Sequence, residues 1–157
     1  MKYTHHSMDG KDIVPIMENI IKNGGQCKLK VTGYSMTPIL KHLRDSVILI
    51  SPETRPIKKG EIVFIQRDTG QYVLHRVYKI IDENSFIMNG DAQQWTEKVE
   101  NNQVIGVCKS IIRNNKEISC DNFLYKCIIK LWQFLMPVRH LIFKIYGVMK
   151  RFINKRV

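Results

Sequence analysis

Six runs of β-branched and aromatic residues, "CKLKV", "SVILIS", "EIVFIQ", "YVLHRVYKII", "SFIMN" and "VIGVCKSII", lie between residues 27 and 112. Turn-like segments, among them "SPETRPIKKG", "RDTGQ", "DEN" and "NGD", separate them. Connections this short suit antiparallel neighbours, so this part of the chain is expected to be mainly β. A short helix should precede it. From Asp12 to Asn23, Ile13, Ile16, Met17, Ile20 and Ile21 recur at helical spacing, and "NGG" stops the run. From Asn122 the pattern turns helical again. In "NFLYKCIIKLWQFLM" the polar residues Asn122, Lys126, Lys130 and Gln133 recur every three or four positions, which leaves a broad apolar face. Pro137 breaks the run, and "VRHLIFKIYGVMKRFINKR" repeats the design with Arg139, Lys144, Lys150 and Arg151 on its polar side. The expected organisation is a β domain over residues 1–121 and a basic amphipathic helical tail over 122–157.

A chain of 157 residues is the size of one ordinary domain and long enough to bury a core. Its formal charge of +11 is unevenly placed: residues 122–157 hold eight basic side chains and no acid, whereas residues 1–121 hold 17 basic and 14 acidic ones. Cys27, Cys108, Cys120 and Cys127 form no C-x-x-C pair and no metal-ligand spacing with a histidine, which disfavours a metal site and a redox site. No cofactor is implied. The N-terminal "MKYTHHSMDGKDIVPIMENI" has no continuous apolar core, so the chain is expected to start in the cytoplasm with reduced thiols.

The tail leaves two readings open: helices docked on the β body, or helices lying in a membrane interface with basic side chains toward anionic headgroups. A spanning helix would bury Lys130, Arg139 and Lys144, each at about 2.5–3.5 kcal/mol near a bilayer centre, and is disfavoured. Trp132, Tyr125, Tyr146 and the absence of acids tilt the balance toward a peripheral location at the inner face of a membrane. A nucleic-acid partner is disfavoured, because a wide apolar face gives phosphates nothing to bind.

"VTGYSMTPIL" places Ser35 between Gly33 and Pro38. Such a stretch serves as a strand exit and also exposes a hydroxyl, but serine is a poor nucleophile unless a neighbour removes its proton. Of the five histidines, His5 and His6 lie near the N-terminus, His42 follows the turn closely and His140 sits in the tail. His75 stands in "YVLHRVYKI", where strand alternation puts Val73, His75 and Val77 on one face and Leu74, Arg76 and Tyr78 on the other. An imidazole half-buried between valines tends to stay neutral, the state a general base requires. Arg76 reads as a surface or substrate-flanking charge.

In order and spacing, "GYSMTPIL", "KKGEIVFIQ", "YVLHRVYKI" and "IMNGDAQQWTE" resemble the boxes of the type I signal peptidase superfamily, which also contains LexA-like self-cleaving repressors. The boxes cover residues 31–107, half the chain. The resemblance implies a coiled β-sheet body, with the serine of the S-M-x-P box, here Ser35, as nucleophile. His75 occupies the position before "RV" that is Lys in the usual bacterial enzymes and His in the endoplasmic-reticulum-like branch. The glycine-aspartate box falls on Gly90 and Asp91, and the acid that orients the histidine in that branch falls on Glu97 rather than on Asp. Glu97 is thus the first candidate for the third catalytic member and Asp91 the second. A hydroxyl two residues before the nucleophile assists in some relatives, and that place is Gly33 here.

The implied function is a serine endopeptidase of the signal peptidase type, acting on a precursor polypeptide to remove a leader or signal segment. Self-cleavage fares worse: only 34 residues precede Ser35, no Ala-Gly or Cys-Gly pair occurs, and that branch uses Lys where His75 stands. The alternative from another class is a catalytically silent peptidase-like adaptor at a membrane surface.

Overall fold

The computed structural model describes residues 10–154; His5 and His6 at one end and Lys155 and Arg156 at the other lie outside the described residues. The elements run α1 (Gly10–Lys22), β1 (Cys27–Lys30), β2 (Asp45–Ile50), β3 (Ile62–Gln66), β4 (Tyr72–Ile80), β5 (Ser85–Asn89), β6 (Glu97–Glu100), β7 (Val104–Arg113), β8 (Lys116–Ser119), α2 (Phe123–Phe134) and α3 (Arg139–Asn154). The fold is the expected mainly β one, a curled antiparallel sheet with a short N-terminal helix and C-terminal helices.

The strands form one sheet in the order β1-β2-β7-β3-β4-β5-β6, with β8 also paired to β7. Strand β7 organises it. Val107 to Arg113 pair with β2, while the opposite edge is shared: residues 104–107 pair with β3 and residues 110–113 with β8. Period-two alternation then supplies two cores, because neighbouring residues of a strand face opposite sides. Ile62 and Phe64 join α1, β1 and β2 in one cluster, and Val63 and Ile65 join Val77, Phe86 and Met88 in the other.

Helix α1 packs on the first cluster through Val14, Met17 and Ile21, at i, i+3 and i+7. Ile13, Ile16 and Ile20 face outward, so the sequence periodicity located the helix but not the whole of its buried stripe. The Gly24 and Gly25 amides bond back to the Ile21 and Ile20 carbonyls and close its end.

Two strands escape the sequence pattern. In β6, "EKVE", only Val99 is buried, and in β8, "KEIS", no residue is fully buried. Asn114 and Asn115, both at positive φ, form the two-residue turn that reverses β7 into β8.

Helix α2 and the start of α3 are tied to the body by hydrogen bonds. Asn122 caps α2 by accepting the Tyr125 amide. From α2, Gln133 Nε2 donates to the Val77 carbonyl at 2.9 Å, and Trp132 Nε1 to the Asp91 carbonyl at 3.1 Å. Arg139, buried at the start of α3, donates to Asn89 Oδ1 at 2.8 Å and to the Trp132 carbonyl at 2.9 Å. Trp132 and Tyr125, read from sequence as interfacial aromatics, are instead turned toward the body.

Arg76 corrects the sequence reading. It is 2% exposed rather than at the surface, because both faces of β4 are covered. Its Nε and Nη2 donate to the two oxygens of Asp91 at 2.8 and 2.7 Å, and Nη1 donates to the Gly60 carbonyl at 2.7 Å and to Tyr125 Oη. Burial opposes its charge, but the Asp91 carboxylate beside it more than offsets that and holds the guanidinium protonated. Replacing Arg76 by Met strands a buried carboxylate, and we expect urea unfolding to show a loss of about 3–5 kcal/mol. The double variant Arg76→Met/Asp91→Leu should recover much of it.

Candidate active site

The segment between β1 and β2 is closed into a compact loop by its ends. The Val31 amide donates to the Asp45 carbonyl and the Leu43 amide to the Val31 carbonyl. Asp45, fully buried, accepts from the Lys41 amide and from the guanidinium groups of Arg44 and Arg113. Burial favours the neutral acid there, yet these donors together hold Asp45 well below the usual carboxylate range. Met36 and Leu40 anchor the loop in the first core. Gly33, at φ +83°, turns the chain in a region that L side chains rarely adopt, and its amide donates to His42 Nδ1 at 2.9 Å. Ser35 follows, half-buried.

A second segment, after β5, holds Ser35 from the other side. The Ala92 amide donates to the Ser35 carbonyl at 2.7 Å. Gly90 is needed for that approach: a Cβ placed there would stand 2.9 Å from the Ser35 carbonyl oxygen and against Gln93 Oε1. Asn89 organises the segment, its Nδ2 donating to the carbonyls of Gln93 and Trp95 at 3.1 and 2.5 Å.

His75 comes from the middle of β4, opposite Val63 of β3. It lines, together with Ser35, a cleft of about 250 Å³ whose other walls include Thr32, Arg67, Gln93 and Trp95. A larger cleft of about 710 Å³, which shares Arg67 and is also lined by Glu97, contains neither Ser35 nor His75. Trp95 packs edge-on to the imidazole at 5.8 Å, and Arg67 lies over the same indole at 5.7 Å. His75 Nδ1 is buried and has no hydrogen-bond partner, and no hydrogen bond joins the imidazole to Ser35 Oγ. Burial pushes the His75 pKa down, the Arg67 charge pushes it further, and together they bring it to about 4 despite the opposing carboxylates of Glu97 and Asp91.

The two acids have other partners. Glu97 accepts from Arg67 Nε and Nη2 at 2.8 and 2.6 Å, and Asp91 is taken by Arg76. Neither is hydrogen-bonded to His75. The structure thus brings Ser35 and His75 to one cleft, and sets Glu97 and Asp91 behind arginines that reach them first. Sequence reasoning missed Arg67 and Trp95 as cleft walls. Trp95 falls inside a quoted box, whereas Arg67 stands in a turn-like "RDTGQ" that gives no sign of what lies opposite.

A curled antiparallel sheet with a short N-terminal helix is the framework of the serine peptidase superfamily of LexA and the type I signal peptidases. Within it, the model for S24-like peptidases matches residues 2–112, and the chain belongs to that family. A search of curated proteins returned no match.

Titration of the His75 imidazole by NMR should give a midpoint near 4, against 6.5 for an ordinary histidine. Arg67→Gln should move it upward, since it removes a repelling charge and frees the Glu97 carboxylate. Unfolding restores the ordinary proton affinity, so His75 costs stability as pH falls from its ordinary pKa through the folded one.

Proposed function

We propose that the protein is a serine endopeptidase of the signal peptidase type that removes a leader or signal segment from a precursor polypeptide, with Ser35 as nucleophile and His75 as general base. The observation that carries this reading is the shared cleft of Ser35 and a histidine whose surroundings keep it neutral. In the reaction, Ser35 Oγ attacks the scissile carbonyl while His75 takes its proton, forming a tetrahedral intermediate. His75 then returns the proton to the leaving amine, and the acyl-enzyme is hydrolysed by water activated in the same way. The cleft's hydroxyl and imidazole close to hydrogen-bonding distance when substrate is bound, as catalytic contacts left loose in the free enzyme commonly do.

The Ser35 amide is the natural oxyanion donor. It is committed to no acceptor among the described residues, and the place where relatives add a hydroxyl is Gly33. Of the two acids, Glu97 is the better third member. Its field favours the imidazolium more than that of Asp91 does, and it sits on the partly exposed Arg67 rather than in a fully buried pair. Its role is electrostatic stabilisation of the imidazolium.

A fluorophosphonate probe tests the assignment. Labelling should disappear in Ser35→Ala and fall about 10²–10⁴-fold in His75→Ala. Glu97→Gln should lower it about tenfold at unchanged stability, whereas Asp91→Asn should act through stability. The rate of labelling should hold down to about pH 5 and fall below it, with Arg67→Gln raising the midpoint. Folded protein that takes no label at any pH would overturn the peptidase reading in favour of a silent adaptor.

A further inference from the structure

One face of α2 and the start of α3 are turned to the body, and the outer faces of both helices are apolar. On α2, Phe123, Leu124, Ile128, Leu131 and Phe134 are exposed, the two phenylalanines at 81% each. At about 100° per residue these five fall within one arc of roughly 140°, the side opposite Ile129 and Gln133 that pack inward. On α3, Leu141, Ile145 and Met149 repeat at i, i+4 and i+8, all exposed, beside exposed Tyr146. Apolar residues at this density exceed what an isolated surface helix displays, and a run of this kind marks an interaction surface.

The charge around the arc selects the occupant. Lys130 flanks it on α2 and Lys144 flanks it on α3, both exposed, while Lys126, on the same side as Lys130, is paired with Asp121 just before the helix at 2.8 Å; neither helix contains an acid. A second copy of the chain would set like charges against one another across the contact. An anionic lipid surface answers both features, since acyl chains take the apolar arc and headgroups take the ammonium groups at its edges. Among the described residues no helix is long and apolar enough to cross a membrane, so the helices would lie in the interface rather than span it.

We infer that the outer faces of α2 and α3 form a docking surface for a bilayer bearing anionic headgroups. The inner faces of the same helices hold the segment after β5, through Trp132 on the Asp91 carbonyl and Arg139 on Asn89. Docking therefore fixes the bilayer to the element that also holds Ser35. This inference stands on the helices and does not rest on the peptidase reading.

Vesicle flotation of the full chain tests it, with phosphatidylglycerol-containing vesicles compared with pure phosphatidylcholine ones. The triple variant Phe123→Glu/Leu131→Glu/Phe134→Glu changes only exposed side chains, and circular dichroism verifies its fold. Binding to the anionic vesicles should be at least about tenfold stronger than to neutral ones, weaken in high salt, and fall about tenfold or more in the variant. Failure of the folded wild-type protein to float with anionic vesicles would overturn the inference. So would equal flotation of variant and wild type, equal binding to neutral vesicles, or a dimer in vesicle-free gel filtration that the variant abolishes. Serine-probe labelling, read on the same samples without vesicles, reports the peptidase site separately, so failure of either reading is recognisable alone.

Discussion

The buried pair of Arg76 and Asp91 is the contact on which the rest of the site depends. It joins the middle of β4, one residue from His75, to the segment after β5, one residue from the amide that holds the Ser35 carbonyl. The two candidate reacting groups arrive from elements distant in sequence, and this fork is what ties those elements together. Desolvating both charges is costly, and the pair is sustained because all three nitrogens of Arg76 donate: to the carboxylate, the Gly60 carbonyl and Tyr125. Tyr125 brings α2 into the same network, and Trp132 and Arg139 extend it along the helices.

The electrostatics of the cleft follow from a competition among cations for carboxylates. Arginine offers two parallel donors to a carboxylate, a geometry that imidazole cannot match, so Arg67 holds Glu97 and Arg76 holds Asp91. His75 is left with an unpartnered Nδ1 in a poorly solvated position next to a positive charge. That arrangement keeps the imidazole neutral over the physiological range, as a base must be. It also leaves the stabilisation of the imidazolium to the field of nearby acids instead of to a direct hydrogen bond.

The sheet was legible wherever strands are buried on both faces, because a run such as "EIVFIQ" or "VIGVCKSII" has no other economical fold. Strands β6 and β8 were not, since each hangs on a single apolar residue, buried Val99 and half-covered Ile118, and the rest of their length is charged or polar. The pair Asn114-Asn115 was the available sign for β8, for few residues other than Asn and Gly take two successive positive φ values. Ser35 and His75 were readable as a hydroxyl in a Gly-to-Pro turn and an imidazole between valines. What Glu97, Asp91 and Arg76 do was not readable, because strand alternation says which face a charge occupies and nothing about which opposite charge crosses from another element. The tail shows the same limit: its periodicity gave two helices, and only packing revealed that the aromatics Trp132 and Tyr125 turn inward while Phe123 and Phe134 turn out.

In the proposed reaction Ser35 and His75 work on the same bound carbonyl. A crystal structure of the protein reacted with a peptide boronic acid, which mimics the tetrahedral intermediate, tests it directly. The adduct should show a boron bond to Ser35 Oγ, with His75 Nε2 within hydrogen-bonding distance of it and the Ser35 amide facing a boronate oxygen. An adduct on another side chain, or one on Ser35 with the imidazole turned out of reach, would contradict it.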